Sequence, residues 1–194
     1  MRRPSPTFLL CSFTNLLRER ARRRVDDEKR GGYGPRGVRM PQASSIEWVR
    51  SGTGMSEPLV ATPSPLLSSA GMWTGIRLAA TAIDHGGELP EGYANAPLVH
   101  VCLDELVSEA CHAGKWMRRR FEPGDITISP PGMPIAYRWN GPNRGILVEL
   151  DLDALPAPIE IKPLFAGKDP LITHLALALR DELYAGNPGG RIYG

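Results

Sequence analysis

From Trp73 onward the chain is written in short apolar runs broken by turn residues. The runs are "IRLAATAID" (76–84), "PLVHVCL" (97–103), "KWMRRRF" (115–121), "DITISP" (125–130), "IAYRW" (135–139) and "GILVELD" (145–151). Several alternate apolar with polar positions, the period of a strand with one face buried. Between them stand "HGGELPEG", "EPGD", "PPGMP" and "NGPNRG", which favour tight turns. Strands this short and this closely spaced predict a mainly β fold, a sandwich or barrel, over residues 71–165. One helix follows. Asp169 suits its N-cap and Pro170 its first turn, Ile172, Leu175, Leu179 and Leu183 fall on one face, and Gly186 suits its end. The predicted helical unit is 166–186, and 187–194 reads as the start of a further element.

Residues 1–70 have a different texture. "RGGYGPRGVRMPQASS" and "RSGTGMSEPLVATPSPLLSSAG" are rich in Gly, Pro and Ser and offer little apolar surface to bury, so 1–70 is expected to be a disordered arm and linker. Charge marks the same division. Residues 1–40 carry 11 Lys/Arg against 4 acids, a net of +7, and the other 154 carry 12 against 17, a net of −5. The run "RERARRR" could meet phosphate charge; a solvated arm, or a natural start at Met40 or Met55, accounts for it as well.

Cys11, Cys102 and Cys111 are odd in number and lack CxxC spacing, which predicts neither a disulfide framework nor a zinc knuckle. No apolar run approaches the ~20 residues that span a bilayer. The patch after Arg2 and Arg3 is interrupted by Ser12, Thr14 and Asn15 and has no small-residue cleavage site. A cytoplasmic protein without membrane contact is expected.

Gly124 followed by Pro130-Pro131-Gly132 resembles the second conserved motif of the cupin superfamily, whose Pro-x-Gly turn brings the next strand back across a barrel mouth. Metal cupins place a histidine three residues after that glycine; Ile135 stands there. The first cupin motif can be laid on Gly92, Leu98, His100 and Glu105, of which only His100 and Glu105 have ligand-type side chains. Two donors do not make a zinc, iron or manganese site, so no metal and no other cofactor is expected. There is no GxSxG, phosphate loop or HExxH, and His85, His112 and His174 have no evident nucleophile partner, so no catalytic residue is expected.

A wider pattern is carried by "GELPEG", "RRFEPGDITISPPGMP", "ILVELD" and "DPLITHLALALRDELYAGNPGGRIYG". Together they resemble the N-terminal sensor half of AraC-type bacterial transcription regulators, over about residues 70–194. The resemblance implies a cupin-like barrel that binds a small-molecule effector or dimerises, with DNA bound by a C-terminal helix-turn-helix domain. This chain ends before that domain, so DNA binding is expected only through a part absent here. If Ile135 faces the lumen, the strand period turns Tyr137 and Trp139 inward too, and His100 can face them from the neighbouring sheet; these four are the candidate effector-binding residues. Core filling is the other reading of the two aromatics. In "MRRR" Arg118 and Arg120 share one strand face and Arg119 takes the other. The stripe Ile172, Leu175, Leu179 and Leu183 is the candidate homodimer contact, with packing on its own barrel as the alternative. The leading functional expectation is an effector-sensing, dimerising module of a regulator, not an enzyme. The alternative is a stand-alone cupin-type enzyme acting on a sugar or small organic acid.

Overall fold

The structure, a computed structural model, describes residues 46–59, 67–69, 72–154 and 159–186. Among the described residues, twelve strands run in chain order: β1 Glu47–Arg50, β2 Ser56–Pro58, β3 Leu67–Ser68, β4 Ile76–Ile83, β5 Gly87–Tyr93, β6 Leu98–Cys102, β7 Leu106–His112, β8 Lys115–Phe121, β9 Asp125–Ser129, β10 Ile135–Trp139, β11 Asn143–Leu150 and β12 Leu164–Lys168. A helix, α1 Pro170–Tyr184, follows. They form two six-stranded antiparallel sheets, ordered β12-β9-β6-β11-β4-β3 and β2-β1-β5-β10-β7-β8.

Strands β4 to β11 define the architecture. One sheet holds β4, β11, β6 and β9 side by side and the other holds β5, β10, β7 and β8. Apart from the β7–β8 hairpin, neighbours among these eight strands are drawn from distant parts of the chain, which is the strand order of an eight-stranded jelly roll with two Greek keys, the fold of the cupins. The fold is a cupin-like barrel, extended by β1–β3 and β12.

The two sheets are buried differently. On β6 and β11, Val99, Val101, Ile146 and Val148 face outward and pack under α1, where Ala176, Leu179 and Leu183 join the same core. Leu98, Ala79 and Leu147 face inward, against Ala110 and Ile135 of the opposite sheet. With both faces covered, "LVHVC" and "ILVEL" read as nearly continuous apolar runs. The second sheet has solvent on its outer side, and all of β8 before Phe121 is exposed.

The turn residues behave as their chemistry requires. Gly124 (φ 87°) and Gly132 (φ 70°) both sit in the left-handed region that side chains avoid. Asp169 caps α1 by accepting from the backbone N–H groups of Leu171 and Ile172, at 3.1 and 3.2 Å. Thr173 Oγ1 donates to the Gly124 carbonyl at 3.0 Å and fastens the first turn of the helix to the β8–β9 turn.

Two expectations are corrected, and one alternative is favoured. Order begins within the expected arm: β1–β3 belong to the sheets, and Trp48 is fully buried, its indole N–H donating to the Pro90 carbonyl at 3.1 Å. Residues 1–45, with the basic run, lie outside the described residues, as do 187–194. "HGGELPEG" is mostly strand: Gly87–Tyr93 is β5, which tolerates Pro90 because its pairing with β10 shifts register between Ile135 and Tyr137. Finally, the stripe on α1 is covered by its own barrel. Leu179 and Leu183 are 5 % exposed, and Ile172 and Leu175 line a small apolar space over Val99, Ile128 and Val148. Leu179 and Leu183 thus pack on their own barrel, the alternative the sequence left open beside the dimer contact, while Ile172 and Leu175 are half-buried. No helix among the described residues is long and apolar enough to cross a membrane.

Candidate functional site

A cavity of about 130 Å³ lies between the two sheets. Strand alternation decides what reaches it. On β10, Tyr137 and Trp139 point inward; on β6, His100 does; on β9, Thr127 and Ser129 do; on β11, Asn143 and Leu147 do. Trp48 of β1, Phe121 of β8 and Phe165 of β12 complete an aromatic wall. The rings of Phe121 and Phe165 meet edge to face with centroids 5.2 Å apart, and Tyr137 tilts against Phe165 at 6.4 Å.

The polar groups divide into satisfied and unsatisfied. Tyr137 and Ser129 share a hydrogen bond of 3.1 Å between their hydroxyls, and burial pushes the Tyr137 phenol above its ordinary pKa. Ser108 Oγ donates to the Arg138 carbonyl at 2.9 Å and Thr81 Oγ1 to the Gly145 carbonyl at 3.3 Å. Trp139 spends its indole N–H on the His85 carbonyl at 3.1 Å, outside the cavity. Asn143 Oδ1 is buried without a hydrogen-bond partner. His100 is shifted by loss of water alone, which lowers its pKa from 6.5 to about 4 and leaves the ring neutral at physiological pH.

Two glycines make room for the rings. A Cβ on Gly145 would collide with His100 Nε2, so the imidazole rests on bare backbone of β11. A Cβ on Gly87 would stand 2.6 Å from Cζ2 of Trp139. Neither residue has a positive φ; both are required by close approach.

Of the four candidate effector-binding residues, His100, Tyr137 and Trp139 meet at the cavity. Ile135 is buried in the adjoining core beside Tyr137 and does not reach the open space. Glu105 stays on the surface, paired with Arg120, well separated in role from His100. Cupins commonly hold a metal, and the residues here do not fit one. The cavity wall supplies a single imidazole, its carbonyl, hydroxyl and amide companions are not a three- or four-donor set, and among the described residues no three His, Cys, Asp or Glu side chains converge.

Sequence reasoning missed Thr127 and Ser129, although the alternation in "DITIS" places both on one face. Asn143 was hidden in a turn-like "NGPNRG". Trp48 and Phe165 come from segments without a strand signal of their own.

The sequence matches no protein-family profile and no curated protein. Among solved structures it is similar to a cupin domain from Bordetella pertussis (11 % identity, TM-score 0.38, covering 46 % of this chain and 95 % of that one). It is similar also to a cupin superfamily protein from Desulfitobacterium hafniense (13 %, 0.36, 48 % and 90 %). A DMSP lyase from Ruegeria pomeroyi is 20 % identical at a TM-score of 0.34, covering 47 % of this chain and 43 % of the lyase. None of these likenesses bears on what the chain binds or does; the assignment to the cupin-like barrels rests on its own strand order.

Proposed function

We propose that this barrel is the effector-sensing part of a transcription regulator of the AraC type, taking a small molecule into the cavity between its sheets. The carrying observation is the composition of the cavity wall: aromatic rings interleaved with hydroxyls, one neutral imidazole and one amide, with no nucleophile, base and acid in mutual reach among the described residues. Such a wall suits orienting and retaining a molecule, which supports a sensor over an enzyme.

The same two strands that face the cavity also face the helix. On β6, His100 points inward while Val99 and Val101 point to α1; on β11, Asn143 and Leu147 point inward while Ile146 and Val148 point to α1. A ligand that shifts either strand therefore bears directly on the packing of α1, one sheet thickness away. Close-packed cores transmit such displacements instead of absorbing them. In relatives of this type the chain beyond such a helix leads to the DNA reader, which gives the coupling a purpose.

The test is a thermal melt of the protein against a small-metabolite library, followed by mass spectrometry of each hit after incubation. A binder at a hundred times its Kd should add about 2.7 kcal/mol of stability, vanish with Tyr137→Ala, and be recovered unchanged. A hit recovered as a reaction product would overturn the sensor reading in favour of a cupin-type enzyme.

A further inference from the structure

Among the described residues, the buried charge inside the barrel lies at its two ends, and at each end an opposite charge stands beside it. Asp125, on the inner face of β9 beyond Thr127, accepts the Glu122 N–H at 2.8 Å through Oδ2; its buried Oδ1 has no hydrogen-bond partner but has the Lys168 ammonium 3.5 Å away. Glu149, on β11 beyond Leu147, is 4 % exposed and paired with Arg77. Among the described residues, no ionised side chain lines the cavity. An ion entering it would leave water and find no opposite charge, an arrangement that proteins do not tolerate.

Two polar side chains that line the cavity remain open. Asn143 Oδ1 is buried and unpartnered. The His100 ring lies against Gly145, two residues further along the same strand, and its displaced pKa arises from burial with no hydrogen bond contributing. The two therefore share one patch of wall, facing Tyr137 and Trp139 of the other sheet. A volume of about 130 Å³ limits the guest; a cavity of roughly 150 Å³ holds one benzene ring.

We infer that the ligand of this cavity is an uncharged molecule of single-ring size, its flat face on the aromatic wall and one hydroxyl or similar hydrogen-bonding group set between His100 and Asn143. The inference rests on the proposed sensor reading for the existence of the site and adds the class of molecule. It separates this barrel from pockets for organic acids, which need an arginine, a lysine or a metal to meet a carboxylate.

Three near-isosteric probes distinguish the possibilities: benzyl alcohol, benzoate and benzylammonium, titrated calorimetrically at pH 7 into the whole chain. Benzyl alcohol should bind saturably and at least tenfold more tightly than either ion. Asn143→Ala should weaken it fivefold or more, and Ser129→Leu, which fills the cavity, should abolish it provided circular dichroism shows a folded barrel. Tighter binding of benzoate or benzylammonium would overturn the uncharged class and leave the sensor reading standing. Unchanged affinity in both variants would place the probe elsewhere and overturn the assignment. If none of the three binds at millimolar concentration, both the inference and the reading beneath it fall.

Discussion

His100 couples the cavity to pH through an effect opposite in sign to a salt bridge. Its folded pKa of about 4 lies below the ordinary 6.5. As pH falls through 6.5 the unfolded chain takes up the proton first, so stability is present above that value, is lost between 6.5 and 4, and changes no further below. Between pH 7 and 4.5 the wild type should lose on the order of 2 kcal/mol more than His100→Gln, measured by urea unfolding at each pH. Equal losses would mean that the imidazole reaches water. Glu149 pulls the other way, since burial raises its carboxyl, but it is common to both proteins and cancels in the comparison. Gly145 is the partner in this arrangement. Gly145→Ala places a methyl where the imidazole lies and should cost about 1–3 kcal/mol by overpacking, with the ligand site distorted at the same time. A fully stable Gly145→Ala protein would show that the ring swings aside freely.

At the scale of elements, α1 gives the clearest test. Leu179 is 5 % exposed and lies in one core with Val99, Ile146 and Val148. Leu179→Asp should therefore destabilise by roughly 2–5 kcal/mol, seen as a lower midpoint in chemical unfolding. A variant that kept its stability and merely changed sedimentation would restore the dimer contact. The helix itself was legible down to its cap, because a 3.6-residue stripe and an Asp-Pro start are local signals. What the stripe packs against was not, since one apolar face looks the same toward a barrel or a second copy. The strands divide on the same principle. "DITIS" and "IAYRW" were legible as strands, and so was the inward turn of Tyr137 and Trp139. Strand β5 was not, because Gly87, Pro90 and Gly92 are turn residues by composition and are strand residues here for tertiary reasons: Gly87 and Gly92 yield space to Trp139 and Trp48. Strand β1 has four residues and takes its place from the burial of Trp48, which no local pattern announces.

At the scale of the molecule, the exposed flank is β8, at the edge of the second sheet. Lys115, Arg118, Arg119 and Arg120 crowd it, with Trp116 and Met117 exposed among them and the Arg138 guanidinium 4.0 Å over the Trp116 ring. Cationic side chains on an open edge discourage strand-to-strand pairing between molecules. Arg118→Thr with Arg119→Thr should aggregate faster in light scattering than a control losing the same charge through Lys29→Gln and Lys162→Gln; equal rates would remove the role. One further property follows from the central place of β11. It pairs along its whole length with β4, from Asn143 opposite Ile83 to Leu150 opposite Ile76, and with β6 on its other side. The barrel is thus closed by a strand some sixty residues downstream of the one it must find; Thr81 and Gly145, which share a hydrogen bond, are 64 positions apart. Closing so large a loop precedes any reward from the contacts it makes, which places refolding on the slow millisecond-to-second scale of non-local β topologies. A nascent chain that has not yet delivered β11 leaves the pairing edges of β4 and β6 open, so until residue 150 emerges those two edges are free to pair with another copy.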